Sequence, residues 1–208
     1  MTEEKAAVYV VDDDPSVRKA LQRLLRSADY DAKTFASAPE FLDFTCPDIP
    51  GCLILDIKMP ELSGLELQER ISEKGISLPI IFITGHGTVP ASVKAFKAGA
   101  MDFLQKPFKE GELLDAVFRA IEKHRRLRRE QKEMKALHSR LETLTPRERE
   151  VFSLVVSGLL NKQAAFDLGI TEKTVKVHRA RVMQKMGAQS LADLVRFAEK
   201  LGIRSSAS

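Results

Sequence analysis

Three short apolar runs mark the first half of the chain: AVYVV at 7–11, GCLIL at 51–55 and PIIFIT at 79–84. Each is too short for a helix and rich in Val, Ile and Leu, so each predicts a strand buried on both faces, with parallel neighbours. YDAKTF at 30–35 and DFLQK at 102–106 are weaker candidates for two more strands. Between these runs the period lengthens. Val17, Ala20, Leu21, Leu24, Leu25 and Ala28 recur at helical spacing, and Leu65, Leu67 and Ile71 lie on a helix opened by Gly64. Five β/α units in about 120 residues predict an α/β fold, an open doubly wound five-stranded parallel sheet. Ligands of such sheets bind beyond the carboxyl ends of the strands.

The second half has no strand signal. From Gly111 to Leu144 there is no proline and no further glycine, and helix formers dominate. Leu127, Met134, Leu137, Leu141 and Leu144 alternate at three and four residues, with Glu130 the polar interruption. Two readings stay open: the seam of a two-stranded coiled coil, or a solvated charged helix. LTPRERE at 144–150 restarts structure, with Thr145 as cap, Pro146 at the first helical position and Glu148 completing a capping box. VFSLVVSGL closes at Gly158, and NKQAAFDLGI supplies a short helix and a turn at Gly169. TEKTVKVHRARVMQKM then opens on Thr171 as cap, so the last helices predict an all-α helix-turn-helix domain. Val175, Val182 and Met186 share its inner face, while Lys173, Lys176, Arg179 and Arg181 spread over the exposed side.

Charge separates the halves. Residues 1–115 hold 13 Lys/Arg against 19 Asp/Glu, a balance of −6, whereas residues 116–208 hold 20 against 10, a balance of +10. A polyanion is attracted to the second part and repelled by the first. A charged exposed face is by itself often only solvated; the basic surplus around the second helix turns the reading toward double-stranded DNA. No apolar run approaches membrane-spanning length and MTEEKAAVYV is no signal peptide, so the expected setting is cytoplasmic, without a membrane. Cys46 and Cys52 show neither metal nor redox spacing and read as reduced packing residues.

The candidate chemistry sits at the strand ends. The first strand runs into Asp12, Asp13 and Asp14, followed by Pro15. Asp14 fits a helix N-cap with proline behind it, which leaves Asp12 and Asp13 for a bound cation. The third strand ends in Asp56, the fourth in Thr84 and the fifth in Lys106. Oxygen ligands of this kind suit Mg²⁺, which keeps waters and leaves room for a phosphate oxygen. Asp56, on the central strand and followed by the loop KMPELSG, is assigned as phosphoacceptor. Asp12 and Asp13 hold the metal together with Asp56 and the Lys58 carbonyl, Lys106 pairs with the phosphoryl oxygens, and Thr84 bonds one of them. Against this stand plainer roles: Lys106 as an ion-pair partner of the aspartates, Thr84 as a strand end. His86, between two glycines, reads as a loop histidine. The P-loop pattern is absent, so a nucleotide is a poor candidate for the phosphate donor.

VVDDDP, LDIKMPELSG, FITGHG and KAGAMDFLQKPF, in that order, resemble a bacterial two-component receiver domain. That resemblance implies a flavodoxin-like fold, phosphorylation of Asp56 by a sensor histidine kinase, and Mg²⁺ at Asp12 and Asp13. It implies Thr84 and Phe103 as switch residues, Lys106 as the family's lysine, and a cis bond from Lys106 to Pro107. LTPREREV, NKQAA and LGITEKTVKVHRARVMQKM resemble the LuxR/FixJ-type DNA-binding domain. By that resemblance Lys176 and Val177 face bases, and Lys162, Thr171, Lys173 and Thr174 reach phosphates; Arg181 joins them from the exposed side. Ala164 stands where relatives carry a larger aliphatic residue, and Ala180 where they often carry a polar base contact.

The expected molecule is a response regulator transcription factor rather than an enzyme. Its expected parts are a receiver at 1–122, a helical linker at 123–143 and a DNA-binding domain at 144–208. Phosphorylation is expected to bias the helix after Thr84 and the strand of Phe103, drive homodimerisation and tighten DNA binding, with RNA polymerase a further candidate partner. Two rivals are a Mg²⁺-dependent phosphohydrolase, for which no general base stands beside Asp56, and an adaptor that docks on proteins alone.

Overall fold

The computed structural model of the 208-residue chain describes residues 5–85 and 99–203. His86 and the helix expected after Thr84 lie outside the described residues. The chain divides into two compact units, Met1–Arg128 and Arg129–Ser208.

The first unit is a five-stranded sheet of β1 (Ala7–Val11), β2 (Asp31–Phe35), β3 (Gly51–Asp56), β4 (Ile80–Thr84) and β5 (Asp102–Gln105). All pairings are parallel, in the order β2-β1-β3-β4-β5. The apolar runs are explained by a core on each face. Val8, Val10, Cys52, Ile54, Ile81 and Ile83 belong to one core, which also takes Leu21 and Leu25 of α1 (Pro15–Ser27). Tyr9, Val11, Leu53, Leu55 and Phe82 belong to the other, which takes Leu67 and Ile71 of α3 (Gly64–Glu73). Successive strand residues alternate faces, so burial of both faces removes the polar half of the pattern. The edge strands β2 and β5 keep exposed positions and read more weakly for that reason.

Sequence periodicity did not reveal α2 (Ala38–Leu42), which has only five residues. It is held by Ser37, whose hydroxyl accepts from the Glu40 N–H. Cys52 is fully buried and Cys46 partly so, and burial pushes both thiols up, as suits packing residues.

α4 (Glu110–Glu142) runs for 33 residues, and the boundary between the units falls within it. In the second unit α5 (Pro146–Val156), α6 (Asn161–Leu168), α7 (Glu172–Met186) and α8 (Leu191–Lys200) surround one core of Val151, Phe152, Val155, Val175, Val182, Met186 and Leu194. Thr145 and Glu148 make the expected capping box, and Gly169 ends α6 in the left-handed conformation at φ 63°. Ala164 is fully buried in this core.

From Leu137 onward, the seam of α4 does not stand free for a coiled coil. Leu137 is 2% exposed, and Leu141 and Leu144 pack with the core of the second unit. Side chains buried within their own chain are not available as knobs for a partner helix.

Candidate functional site

Four strand ends converge in the first unit. Asp12 follows β1 and is fully buried, Asp56 closes β3, and Thr84 closes β4 at 1% exposure. Lys106, just past β5, sends Nζ to 2.7 Å from Asp12 Oδ2 and 3.5 Å from Asp56 Oδ2. One carboxylate oxygen from each of Asp12, Asp13 and Asp56 lies within 4.8 Å of the other two.

Local backbone chemistry sets each group. The Asp12 N–H continues the ladder to the Phe35 carbonyl at 3.3 Å, so the residue leaves β1 still in strand geometry. Asp12 Oδ1 accepts from the Asp14 N–H at 2.9 Å, and Arg18 donates to the Asp12 carbonyl at 2.7 Å. Asp14 caps α1 by accepting from Ser16 N–H at 2.7 Å. The three adjacent aspartates therefore divide their work: Asp12 and Asp13 turn to the crevice, Asp14 to the helix.

After Asp56 the chain turns back tightly. Gly64 N–H donates to the Ile57 carbonyl at 3.0 Å, and a Cβ on Gly64 would lie 2.2 Å from the Asp56 carbonyl oxygen. Only glycine permits so close a crossing. Lys58 is exposed in this loop. On the far side, Lys106 N–H donates to the Thr84 carbonyl at 2.7 Å, and the Lys106–Pro107 bond is cis. Phe103, in register with Phe82, is half-buried against the core that contains Leu53 and Leu55.

The Asp56 carboxyl is held above its ordinary range. Burial is the main cause; Lys106 opposes it and the neighbouring Asp12 charge adds to it. Among the described residues, Asp56 Oδ1 is buried without a hydrogen-bond partner. A buried unpaired carboxylate oxygen is costly, and a cation at the site is one group that would complete it. An all-carboxylate donor set beside it fits a hard divalent cation such as Mg²⁺.

The second unit presents a different surface. Thr171 caps α7, accepting from the Thr174 N–H at 3.2 Å, and the two hydroxyls lie 2.8 Å apart. Lys173, Lys176, Val177 and Arg181 are exposed along the helix, and Lys162 is exposed in the first turn of α6. Val177 is 45% exposed on the outward side, where an apolar residue gains nothing from water. Lys176 Nζ pairs with Glu172 at 3.1 Å in an exposed contact of little strength. Ala180, also exposed, offers no polar group.

Arg179 departs from its expected place on the exposed side. It is half-buried, and its guanidinium donates to Asn161 Oδ1 at 3.2 Å, tying α7 to the start of α6. Sequence reasoning also missed Lys185, whose Nζ reaches buried Glu148 at 2.6 Å and holds its carboxyl down at about 2. A charged capping-box residue ahead of an apolar helix was the available signal.

Residues 8–118 match the response regulator receiver domain, and residues 142–198 match the bacterial regulatory proteins of the luxR family. Nodulation protein W of Bradyrhizobium diazoefficiens is 51% identical over 202 residues, covering 97% of this chain and 89% of that protein. Transcriptional regulatory protein FixJ of Rhizobium meliloti is 45% identical over 192 residues, covering 92% and 94%. The solved structure of response regulator StyR matches with a TM-score of 0.87 at 47% identity, covering 94% of this chain and 99% of that one. Among the described residues no helix is long and apolar enough to cross a membrane.

Proposed function

This chain belongs to the response regulators that join a receiver to a LuxR-type DNA-binding domain, and from that premise we propose that phosphorylation of Asp56 controls its binding to DNA. The family consists of transcriptional regulators rather than enzymes, and a receiver implies a histidine kinase as partner. The observation that carries the reading is Oδ1 of Asp56, buried and without a partner among the described residues, beside the carboxylates of Asp12 and Asp13 and the Lys106 ammonium.

Asp56 Oδ1 attacks the phosphorus of a phosphohistidine on the kinase; the O–P bond forms as the N–P bond breaks, and the imidazole leaves. Asp12 and Asp13, with Asp56 and the Lys58 carbonyl, would hold Mg²⁺, which would supply neutralisation of charge on the transferring oxygens. Lys106 already lies within 3.5 Å of Asp56 and pairs with a phosphoryl oxygen once it arrives. Thr84 donates its hydroxyl to another, which draws the end of β4 toward the site. Phe103, one strand further, follows that movement into the vacated space.

The modified receiver then pairs with a second copy, and two weak DNA contacts act as one strong contact. Lys176 and Val177 face base edges; Lys162, Thr171, Lys173, Thr174 and Arg181 approach phosphates. RNA polymerase is the partner that a bound regulator would address. We assign receiver function to 1–122 and DNA binding to 144–208, joined through 123–143.

Intact mass after incubation with acetyl phosphate and Mg²⁺ tests the chemistry. One added phosphoryl group is expected, absent after chelation and absent in Asp56→Asn. Full modification of Asp56→Asn would show that another residue is the acceptor.

A further inference from the structure

The last stretch of α4 is fastened to the second unit at several points. Lys200, at the end of α8, places Nζ 2.6 Å from Glu133 Oε1. Leu137 is buried, and Leu141 and Leu144 join the core. Arg140 Nη1 donates to the Met186 carbonyl at 3.1 Å, one of the carbonyls that α7 leaves without a partner at its C-terminus. Lys185 returns the contact: its Nζ donates to the Thr143 carbonyl, just beyond α4, at 2.9 Å. Each helix thus has its negative end capped by a cation from the other. The fit is close. Gly187 follows α7 at φ 69°, and a Cβ there would meet the Arg140 guanidinium at 3.0 Å.

We propose that Arg140 and Lys185 form a reciprocal clasp that positions α7 for reading base sequence, so that residues 133–144 are a working helix of the DNA-binding unit rather than a spacer. The inference rests on the reading of α7 as the helix that faces bases. Ten residues separate Lys176 from Met186, about 15 Å of helix, so a 10° tilt at the clasped end moves the base-facing end by roughly 2–3 Å. That is a hydrogen-bond length. The other end of α7 is held to α6 through Arg179 and Asn161. Arg140 and Lys185 are positioning residues: neither lies in the group read as touching DNA.

The test uses the full chain, the duplex that wild type selects from a randomised pool, and a random duplex. Arg140→Met should weaken binding of the selected duplex at least about tenfold, the loss expected when Lys176 no longer meets its base edge. Random-duplex affinity and the salt slope should change much less, because flexible phosphate-facing side chains can follow the backbone of the duplex whereas a base edge demands fixed geometry. Arg140→Lys keeps a donor and should recover most of the loss. Amide exchange over 184–188 should quicken in Arg140→Met and return in Arg140→Lys. Wild-type affinity for the selected duplex in Arg140→Met overturns the clasp, as does equal loss on both duplexes without rescue. If wild type selects no sequence, the reading of α7 fails, and exchange alone decides the clasp: unchanged rates over 184–188 overturn it.

Discussion

The acidic crevice and the basic helix face, the two sites proposed to handle phosphate, are built in opposite ways. In the crevice most of the polar groups are taken out of water: Asp12 is fully buried, Asp56 is 8% exposed and Thr84 1%, while Asp13 stays exposed at the rim. On α7 the charges stay in water, and Lys176 keeps 63% of its side chain exposed. A bond-forming site needs few groups, fixed before the substrate arrives, in surroundings that strengthen each charge. A polyanion surface needs many groups that exchange counterions for phosphates at little desolvation cost. Burial is therefore where single substitutions should act steeply, and exposure where they should act by degrees.

The sharpest break between the regions is chemical. Asp56→Asn should abolish phosphoryl addition outright, whereas no single lysine on α7 should abolish DNA binding. Mass spectrometry and a gel-shift titration read the two arms. Partial phosphorylation of Asp56→Asn alongside complete loss of binding in Lys173→Ala would reverse the contrast.

Within the exposed face the effects should be smaller and divided by role. Lys176→Ala should weaken the selected duplex by about 1–3 kcal/mol if its ammonium meets a base edge. Lys173→Ala should weaken all sequences alike and lower the salt slope by about one. Fluorescence anisotropy at several salt concentrations separates them; identical profiles for the two variants contradict the division.

Buried charge should also show in stability, with opposite signs in the two units. Glu148 is held at about 2, first by the Lys185 ammonium and then by the Thr145 N–H. Its contribution is fully present above the ordinary glutamate value of 4.5 and is lost as pH falls toward 2. Glu148→Gln should flatten that acid limb and cost about 1–2 kcal/mol at pH 7, less than a fully buried pair because the Lys185 side chain is 34% exposed. Asp56 runs the other way. Its raised carboxyl favours the folded chain below the ordinary aspartate range, and that advantage disappears as pH rises through the folded value. Asp56→Asn should therefore raise the melting temperature at pH 7, by roughly 1 kcal/mol of stability. Melting curves across pH 3–8 check both signs; a lower melting temperature for Asp56→Asn at pH 7 would contradict the burial argument.

What could be read from sequence follows the same physical divide. β1, β3 and β4 are unbroken apolar runs because both of their faces are covered, and their ends deliver Asp12, Asp56 and Thr84 by simple counting. Parallel strands place those ends on one side, so the crevice follows once the topology is known. The supports of the crevice do not follow. Gly64 is required by the close passage of the Asp56 carbonyl, and Arg18 by a carbonyl six residues back, and neither contact leaves a periodic trace. The long helix left its two readings open for a related reason. A three-four alternation states that one side is buried without stating against what, and Leu137, Leu141 and Leu144 find cover within their own chain. Arg179 looked exposed by helical position, and only the neighbouring helix, through Asn161, turns it inward.

The central claim is that the buried crevice governs the exposed face. It is tested most directly by measuring DNA affinity and solution mass of the full chain with and without acetyl phosphate and Mg²⁺. Without phosphodonor the chain should be a monomer that binds weakly. With phosphodonor it should be a dimer that binds an inverted repeat whose half-sites lie about one helical turn apart, roughly 34–36 Å. Asp56→Asn should stay in the first state under both conditions. A protein that is already dimeric and binds DNA equally tightly in both states would contradict the account.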